Sequence, residues 1–449
     1  MSVFFGTDGV RGVANTELSC ELAFKLGKAG AYVLTKKNKH KAKIIVGMDT
    51  RISGGMLEAA LTAGICSVGA EVISLGVIPT PGVAYLVRLY GADAGVVISA
   101  SHNPVKDNGI KFFNSKGFKL SDEIEDEIED IMINHIDELP LPTGISVGTR
   151  KVCETSVSDY AAFVAAQTDI DLSGIKIVCD CANGATSTAA KEVFKVLKAD
   201  VTFLSAEPDG TNINLNCGST HLENLKEKVV ELGADVGVAF DGDGDRCLCV
   251  DEKGETVDGD MIMAIIGNNF KDRGLLRENT ITATVMSNLG FMIMAKEKGI
   301  NVAVTDVGDR YVIEEMLKNG HNLGGEQSGH IIILDKNTTG DGLLTAVTLL
   351  TIIKKKGEKL SVLKSIMEVL PQVLINAEVD GKKKTEYNNY KEIRDAIEEL
   401  NAKFSGEGRV LIRPSGTEPL ARVMIEGRDI EVITKEAKKL ADLIVEVLK

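Results

Sequence analysis

The feature that most constrains this chain is a segment that occurs twice. Gly91-Ala-Asp-Ala-Gly-Val-Val runs into Ser99-Ala-Ser-His-Asn-Pro, and Gly233-Ala-Asp-Val-Gly-Val-Ala runs into Phe240-Asp-Gly-Asp-Gly-Asp-Arg. Each copy is an apolar run that stops in a loop dense with polar chemistry. An unbroken apolar strand needs cover on both faces, which a sheet obtains when helices lie above and below it. Open α/β sheets carry their ligands at the carboxyl ends of strands. The repeat therefore predicts related α/β blocks whose loops share one cleft, with a chance likeness of Gly-Ala-Asp strand starts as the rival reading.

The rest of the chain fits this pattern. Strands are expected over 43–46, 72–75, 94–99, 175–181, 234–240, 246–251, 280–286, 302–305 and 331–334, with helices over 56–68, 156–168 and from 343. The acidic stretch 121–139 reads as an exposed helix with Ser121 as its cap. From about residue 370 the order changes to strand 374–379, helix 390–400, strands 409–413 and 422–426, and a terminal helix. That is an α+β layer rather than another doubly wound sheet. A chain of 449 residues exceeds what one core sustains, and Pro140-Leu-Pro-Thr-Gly-Ile marks the clearest break. The expected blocks are 1–150, 151–255, 256–369 and 370–449.

Bulk properties exclude several classes. A net charge of −14 repels nucleic-acid phosphates and anionic lipid, so a small anionic ligand requires locally gathered cations. Eight cysteines in so long a chain make no disulfide scaffold. Cys179/Cys181 and Cys247/Cys249 are spaced to share one strand face as small buried residues. The amino terminus lacks the basic and apolar regions of a signal peptide, and the apolar stretch 343–353 is too short to span a bilayer. The expected setting is the cytoplasm.

Four loops carry chemistry. In Asp241-Gly-Asp-Gly-Asp-Arg246, three carboxylates alternate with glycines, so the chain can curl all three toward one hard cation. A calcium hand is the specific rival, with Glu252 at its twelfth position, but Arg246 stands where that loop needs glycine and the flanks alternate like strands. Ser101, before His102-Asn-Pro, lies outside any Gly-x-Ser-x-Gly context. On an extended chain His102 would point away from it. Lys106 and Lys111 nearby suit a phosphorylated serine, and a plain turn serine also fits. Gly324-Gly-Glu326-Gln-Ser328-Gly-His330 is either a reader of sugar hydroxyls or an ordinary polar turn. Arg413-Pro-Ser415-Gly416-Thr417-Glu-Pro419 is either an anion nest or a hairpin loop. Arg11, among glycines 6, 9 and 12, adds a cationic candidate. No Walker or dinucleotide fingerprint is present.

Taken together and in this order, the loops resemble those of the α-D-phosphohexomutase family along the whole chain. The resemblance implies an α/β fold of three similar mixed-sheet domains plus a smaller C-terminal α+β domain around a central cleft. It implies that Ser101 is a phosphoserine, that Ser101, Asp241, Asp243 and Asp245 hold one Mg2+, and that Glu326 and Ser328 hold sugar hydroxyls. Arg413, Ser415, Gly416 and Thr417 would bind the distal phosphate, with Arg11, Lys111, Arg246 and His330 near the transferring group. Gln327 resembles the branch acting on glucosamine phosphates, where relatives acting on glucose or mannose phosphates more often carry Met. The implied reaction interconverts glucosamine 6-phosphate and glucosamine 1-phosphate through a hexose 1,6-bisphosphate. The implied partners are the hexosamine phosphate, a priming kinase or bisphosphate for Ser101, and a second copy in a homodimer. A sugar phosphatase and a non-catalytic sugar-phosphate sensor are the alternatives from other classes.

Overall fold

The computed structural model describes residues 4–6, 8–381, 383–404, 406–414 and 419–448. The chain divides into two compact units, Met1–Met286 with Ile300–Ile366, and Ser287–Gly299 with Met367–Lys449.

The larger unit contains three sheets. The first runs edge to edge through Phe5–Gly6, Gly9–Val13, Asp107–Asn114, Ala94–Ile98, Lys43–Met48, Glu71–Val77 and Arg150–Val152. The second runs through Thr256–Val257, Cys247–Asp251, Val236–Phe240, Lys176–Asp180 and Asp200–Leu204. The third runs through Asn301–Thr305, Thr280–Thr284, Leu323–Gly325 and Ile331–Ile333. Strands Ala94–Ile98, Val236–Phe240 and Thr280–Thr284 are buried at every residue, as central strands covered on both faces should be.

One device recurs in all three sheets. Ala94–Ile98 pairs parallel to Lys43–Met48 and antiparallel to Asp107–Asn114. Val236–Phe240 is parallel to Lys176–Asp180 and antiparallel to Cys247–Asp251. Leu323–Gly325 is parallel to Thr280–Thr284 and antiparallel to Ile331–Ile333. The turn into each antiparallel return holds the Ser101, Asp241 and Glu326 loops respectively.

The entry to the strand before each antiparallel return is shared as well. The preceding helix gives way to Gly91, Gly233 or Gly320, all left-handed at φ 56°, 57° and 76°, a conformation that glycine adopts without a Cβ penalty. Asp93 N–H then donates to Lys43 O and Lys43 N–H donates back to Asp93 Oδ2, both at 2.8 Å. Asp235 and Lys176 repeat this exchange at 2.8 Å each way. In the third sheet Asn322 replaces the aspartate, its Oδ1 accepting from Arg277 N–H at 3.0 Å. The Gly-Ala-Asp repeat is thus a common way into a strand rather than a coincidence.

Segment 121–139 departs from expectation. Asp122–Asp130 is α-helical, Ile131–His135 a π turn and Ile136–Glu138 a 3₁₀ turn. Ile128, Ile131, Met132 and Leu139 are buried in the core of the first sheet, so the element is amphipathic rather than exposed. Ser121 occupies the N-cap position, but its hydroxyl accepts no backbone N–H there.

The smaller unit is an antiparallel sheet of Gln372–Glu378, Leu420–Gly427 and Gly408–Pro414 with helices Lys391–Phe404 and Ile430–Leu448. Helix Leu289–Glu297 also belongs to it. Buried Glu426 anchors that helix: its Oε2 accepts from Leu289 N–H at 3.1 Å and from Arg409 Nε at 2.5 Å, and its Oε1 from Asn288 Nδ2 at 3.2 Å.

All eight cysteines are free. Cys179 and Cys181 place their sulfurs 3.8 Å apart, and Cys247 and Cys249 theirs 3.9 Å apart, as residues sharing a strand face should. Among the described residues no helix is long and apolar enough to cross a membrane.

Candidate active site

Ser101 lies just past strand Ala94–Ile98 and is left-handed at φ 51°. Its Oγ donates to Asp241 Oδ2 at 2.5 Å, so the loops of the first and second sheets meet. The left-handed turn corrects the expectation of an extended chain here: instead of pointing away, His102 brings Nδ1 to 3.3 Å from Ser101 Oγ. Burial, then the charges of Arg246 and Arg11, lower His102 to about 4, so its ring is neutral near pH 7.

The acid loop fits against Ser101 because two of its positions are glycine. A Cβ on Gly242 would lie 2.5 Å from Ser101 O, and Gly244 is left-handed at φ 73°. Asp241, Asp243 and Asp245 are buried, with ligand oxygens all within 4.8 Å of one another. Burial, then the charges of Asp245 and Asp243, push the Asp241 carboxyl well above its usual range. Burial also opposes charge on Asp245, but His330, Lys111 and Arg246 hold it below the usual range. Asp243 Oδ1 and Asp245 Oδ1 are buried without a hydrogen-bond partner. Three mutually repelling carboxylates with unspent oxygens fit one hard divalent cation.

Around the triad, charges alternate in a ring. Lys111 Nζ lies 2.9 Å from both Asp243 Oδ2 and Asp8 Oδ2. Asp8 also pairs with Arg11 and Lys119, and Lys119 with Asp309. His330 closes the ring, with Nε2 3.6 Å from Asp309 Oδ2 and Nδ1 3.5 Å from Asp245 Oδ2. Burial disfavours the charged ring of His330, but Asp245 and Asp309 raise it to about 9. Gly340 N–H points at Nε2 from 3.2 Å, which suits a neutral ring; two carboxylates outweigh that single dipole.

A cleft of about 450 Å³ opens beside the triad, and its walls include Arg11, Ser101, Asp245, Arg246, Glu326 and His330. Glu326 Oε1 accepts from Gly308 N–H at 3.1 Å, and Ser328 Oγ donates to Glu326 Oε2 at 3.4 Å. Gln327 turns its amide to Asp258 Oδ2 at 3.1 Å, and Asp258 caps helix Gly259–Asp272. Arg413 lies in strand Gly408–Pro414 of the smaller unit. Ser415, Gly416 and Thr417 fall outside the described residues.

The structure thus gathers Ser101, the three aspartates, Lys111, Arg11, Arg246, Glu326, Ser328 and His330 in the larger unit. It adds residues that sequence reasoning passed over: Asp8, Lys119 and Asp309 in the ring; Thr80, whose hydroxyl donates to Asp243 Oδ2 at 2.7 Å; and Asp49, Arg51 and Asn214 beneath the serine loop. Asp8 had a usable signal, since it lies beside Arg11 in the glycine-rich amino-terminal stretch.

Known proteins resemble this chain along its whole length. Models of phosphoglucomutase/phosphomannomutase α/β/α domains I, II and III match residues 2–138, 158–254 and 258–370, and that of the C-terminal domain matches 374–443. The phosphoglucosamine mutase of Ruminiclostridium cellulolyticum is 62% identical over 444 residues, covering 99% of each chain. A phosphoglucomutase/phosphomannomutase family protein of Burkholderia thailandensis superposes with a TM-score of 0.82 at 23% identity, over 99% of this chain and 97% of that one. The N-acetylphosphoglucosamine mutase of Aspergillus fumigatus, solved with GlcNAc-6P and magnesium, gives 0.69 at 16% identity, over 100% and 96%. The four family models and the 62% identity over nearly the whole chain leave one conclusion: the chain belongs to the phosphoglucomutase/phosphomannomutase family, the α-D-phosphohexomutases.

Proposed function

We propose that this chain interconverts glucosamine 6-phosphate and glucosamine 1-phosphate, with Ser101 carrying the phosphoryl group. The observation that carries the reading is the 2.5 Å contact between Ser101 Oγ and the buried triad. It supports Ser101 as the reacting hydroxyl, beside three carboxylates that would hold a divalent ion. The preference for glucosamine draws on the close relative's activity, since Gln327 faces a helix cap in this structure.

In the first half-reaction the C1 hydroxyl of glucosamine 6-phosphate attacks the phosphorus of phosphoserine 101. A sugar O–P bond forms, the Oγ–P bond breaks, and the hydroxyl's proton ends on Oγ. The glucosamine 1,6-bisphosphate then turns over in the cleft. Ser101 Oγ attacks the phosphorus at C6: the Oγ–P bond forms, the C6 O–P bond breaks and the Oγ proton ends on the C6 oxygen, which regenerates phosphoserine and releases glucosamine 1-phosphate. Both steps make and break one P–O bond, so the chain must supply position and charge rather than new chemistry.

Arg11 and Arg246 line the cleft and bind the transferring oxygens. Lys111 is held between two carboxylates, stays charged and stabilises the same group. His330 faces the cleft and, charged near pH 7, is assigned to give its proton to the leaving oxygen and to recover one from the attacking hydroxyl. Glu326 and Ser328 accept sugar hydroxyls, and the Arg413–Thr417 segment is assigned the phosphate that does not react. A magnesium ion on Asp241, Asp243 and Asp245 would supply the positive charge that two arginines and a lysine cannot deliver to the phosphoserine oxygen itself. The division into blocks at 1–150, 151–255, 256–369 and 370–449 gives each block one of these loops.

Turnover measured on glucosamine, glucose and mannose 6-phosphates tests the reading. Isomerisation of glucosamine 6-phosphate should be fastest. Equal or faster turnover of the neutral sugars rejects the amino-sugar preference, and release of inorganic phosphate at the turnover rate rejects the mutase.

A further inference from the structure

The loop that presents Ser101 is held by a side chain the reaction itself does not use. Arg51 is fully buried, and all five of its guanidinium N–H donors are spent. Nη2 donates to Ser101 O at 3.0 Å and Asn103 O at 2.8 Å, and Nη1 to Pro104 O at 2.5 Å and Asp107 O at 3.1 Å. The fifth donor, Nε, meets Asp49 Oδ2 at 2.8 Å. That same oxygen accepts from Ser99 Oγ at 2.6 Å, and Ser99 Oγ accepts Ser101 N–H at 2.9 Å. One side chain therefore grips the Ser101 backbone on both sides, the carbonyl directly and the amide through Asp49 and Ser99. Asn214, in the loop after strand Asp200–Leu204, adds a donor to Ser101 O at 2.9 Å.

We propose that Arg51, oriented by Asp49, is a positioning residue that locks Ser101 in its left-handed conformation so that Oγ stays aimed at the metal ligands throughout the cycle. The proposal rests on the reading that Ser101 carries the phosphoryl group. Oγ alternates between a neutral hydroxyl and a phosphate ester with about 1.5–2 negative charges. A side-chain restraint on Oγ would have to be remade at each change. This clamp makes no hydrogen bond to Oγ, so none has to be remade when the charge on Oγ changes. The left-handed turn is unfavourable for a serine, so a loop released from the clamp relaxes and carries Oγ away. Lysine cannot replace arginine here, because three donors on one nitrogen do not span four carbonyls and a carboxylate.

The test uses full-length Arg51→Lys with magnesium, glucosamine 6-phosphate and a trace of the 1,6-bisphosphate. Lysine keeps a cation beside Asp49, which protects the fold. A 1 Å misplacement of a reacting atom costs on the order of 10²-fold in rate. The expected result is a kcat lowered by about that factor at unchanged KM. Single-turnover transfer of phosphate from labelled bisphosphate to Ser101 should slow equally, with calorimetric magnesium affinity unaltered. In Arg51→Ala, millimolar guanidinium should restore part of the transfer rate and methylammonium should not. Wild-type kcat in Arg51→Lys, or a loss of kcat accompanied by equal losses of magnesium binding and melting cooperativity, overturns the proposal. A wild-type chain that never labels on Ser101 instead overturns the functional reading, and the clamp's purpose falls with it.

Discussion

Lys111→Met separates the electrostatics of the site from its chemistry. Lys111 Nζ is buried and serves two carboxylates, Asp8 and Asp243, each at 2.9 Å. Removing one partner of a buried ion pair costs about 3–5 kcal/mol for each charge left alone. Asp8 keeps Lys119 and Arg11, so only Asp243 is stranded. Its remaining side-chain hydrogen bond is from the Thr80 hydroxyl at 2.7 Å, with the more distant charge of Arg246. One stranded charge predicts a loss of about 3–5 kcal/mol in chelator. Magnesium returns a cation to Asp243, so the loss should shrink by at least about 1 kcal/mol when it is present. The chain has no tryptophan, so urea unfolding is best followed by far-UV circular dichroism, in EDTA and in magnesium. Adding Asp243→Asn should recover stability in EDTA without recovering turnover. A Lys111→Met protein as stable as wild type in EDTA, or one indifferent to magnesium, would refute the argument.

Three further outcomes are expected. A Cβ on Gly340 would lie 2.5 Å from His330 Nε2, so Gly340→Ala should turn the ring from Asp245 and lower kcat by about 10²-fold, with an unchanged circular-dichroism spectrum. Asp241→Asn relieves repulsion within the triad, so in EDTA it should stabilise the fold by on the order of 1 kcal/mol, while thermal melts show no further gain from magnesium. His102 is lowered from 6.5 to about 4 by burial, then by Arg246 and Arg11. The unfolded chain therefore binds that proton first. The His102 contribution to stability is whole above pH 6.5 and is lost as pH falls toward 4. Melting curves of His102→Gln across that window should be flatter than those of wild type.

What the sequence disclosed and what it hid have physical causes. The acid loop was legible because alternating carboxylates and glycines have few other uses, and the Gly-Ala-Asp repeat because helix stop, staple and strand follow one another along the chain. The third copy was hidden by two substitutions, His321 for the alanine and Asn322 for the aspartate: Asn322 makes the bond to Arg277 N–H that Asp93 and Asp235 make to the lysines elsewhere, and its strand is only three residues long. Asp49 and Arg51 lie 50 residues or more before the turn they hold, in a stretch that reads as an ordinary polar loop. Lys119 and Asp309 are 190 residues apart, and each alone looks like a surface charge. The placement of His102 was misread because a serine at positive φ breaks the alternation that an extended chain would impose. Segment 121–139 was misread because its acids masked isoleucines recurring at helical spacing.

Ser101 as the donor and acceptor of phosphate is tested most directly with labelled glucosamine 1,6-bisphosphate. Incubated with the magnesium-loaded chain, the label should appear on Ser101 by peptide mass mapping and chase onto sugar when glucosamine 6-phosphate is added. Ser101→Ala should neither label nor turn over. Undiminished isomerisation by Ser101→Ala, or label that leaves only as inorganic phosphate, would contradict it.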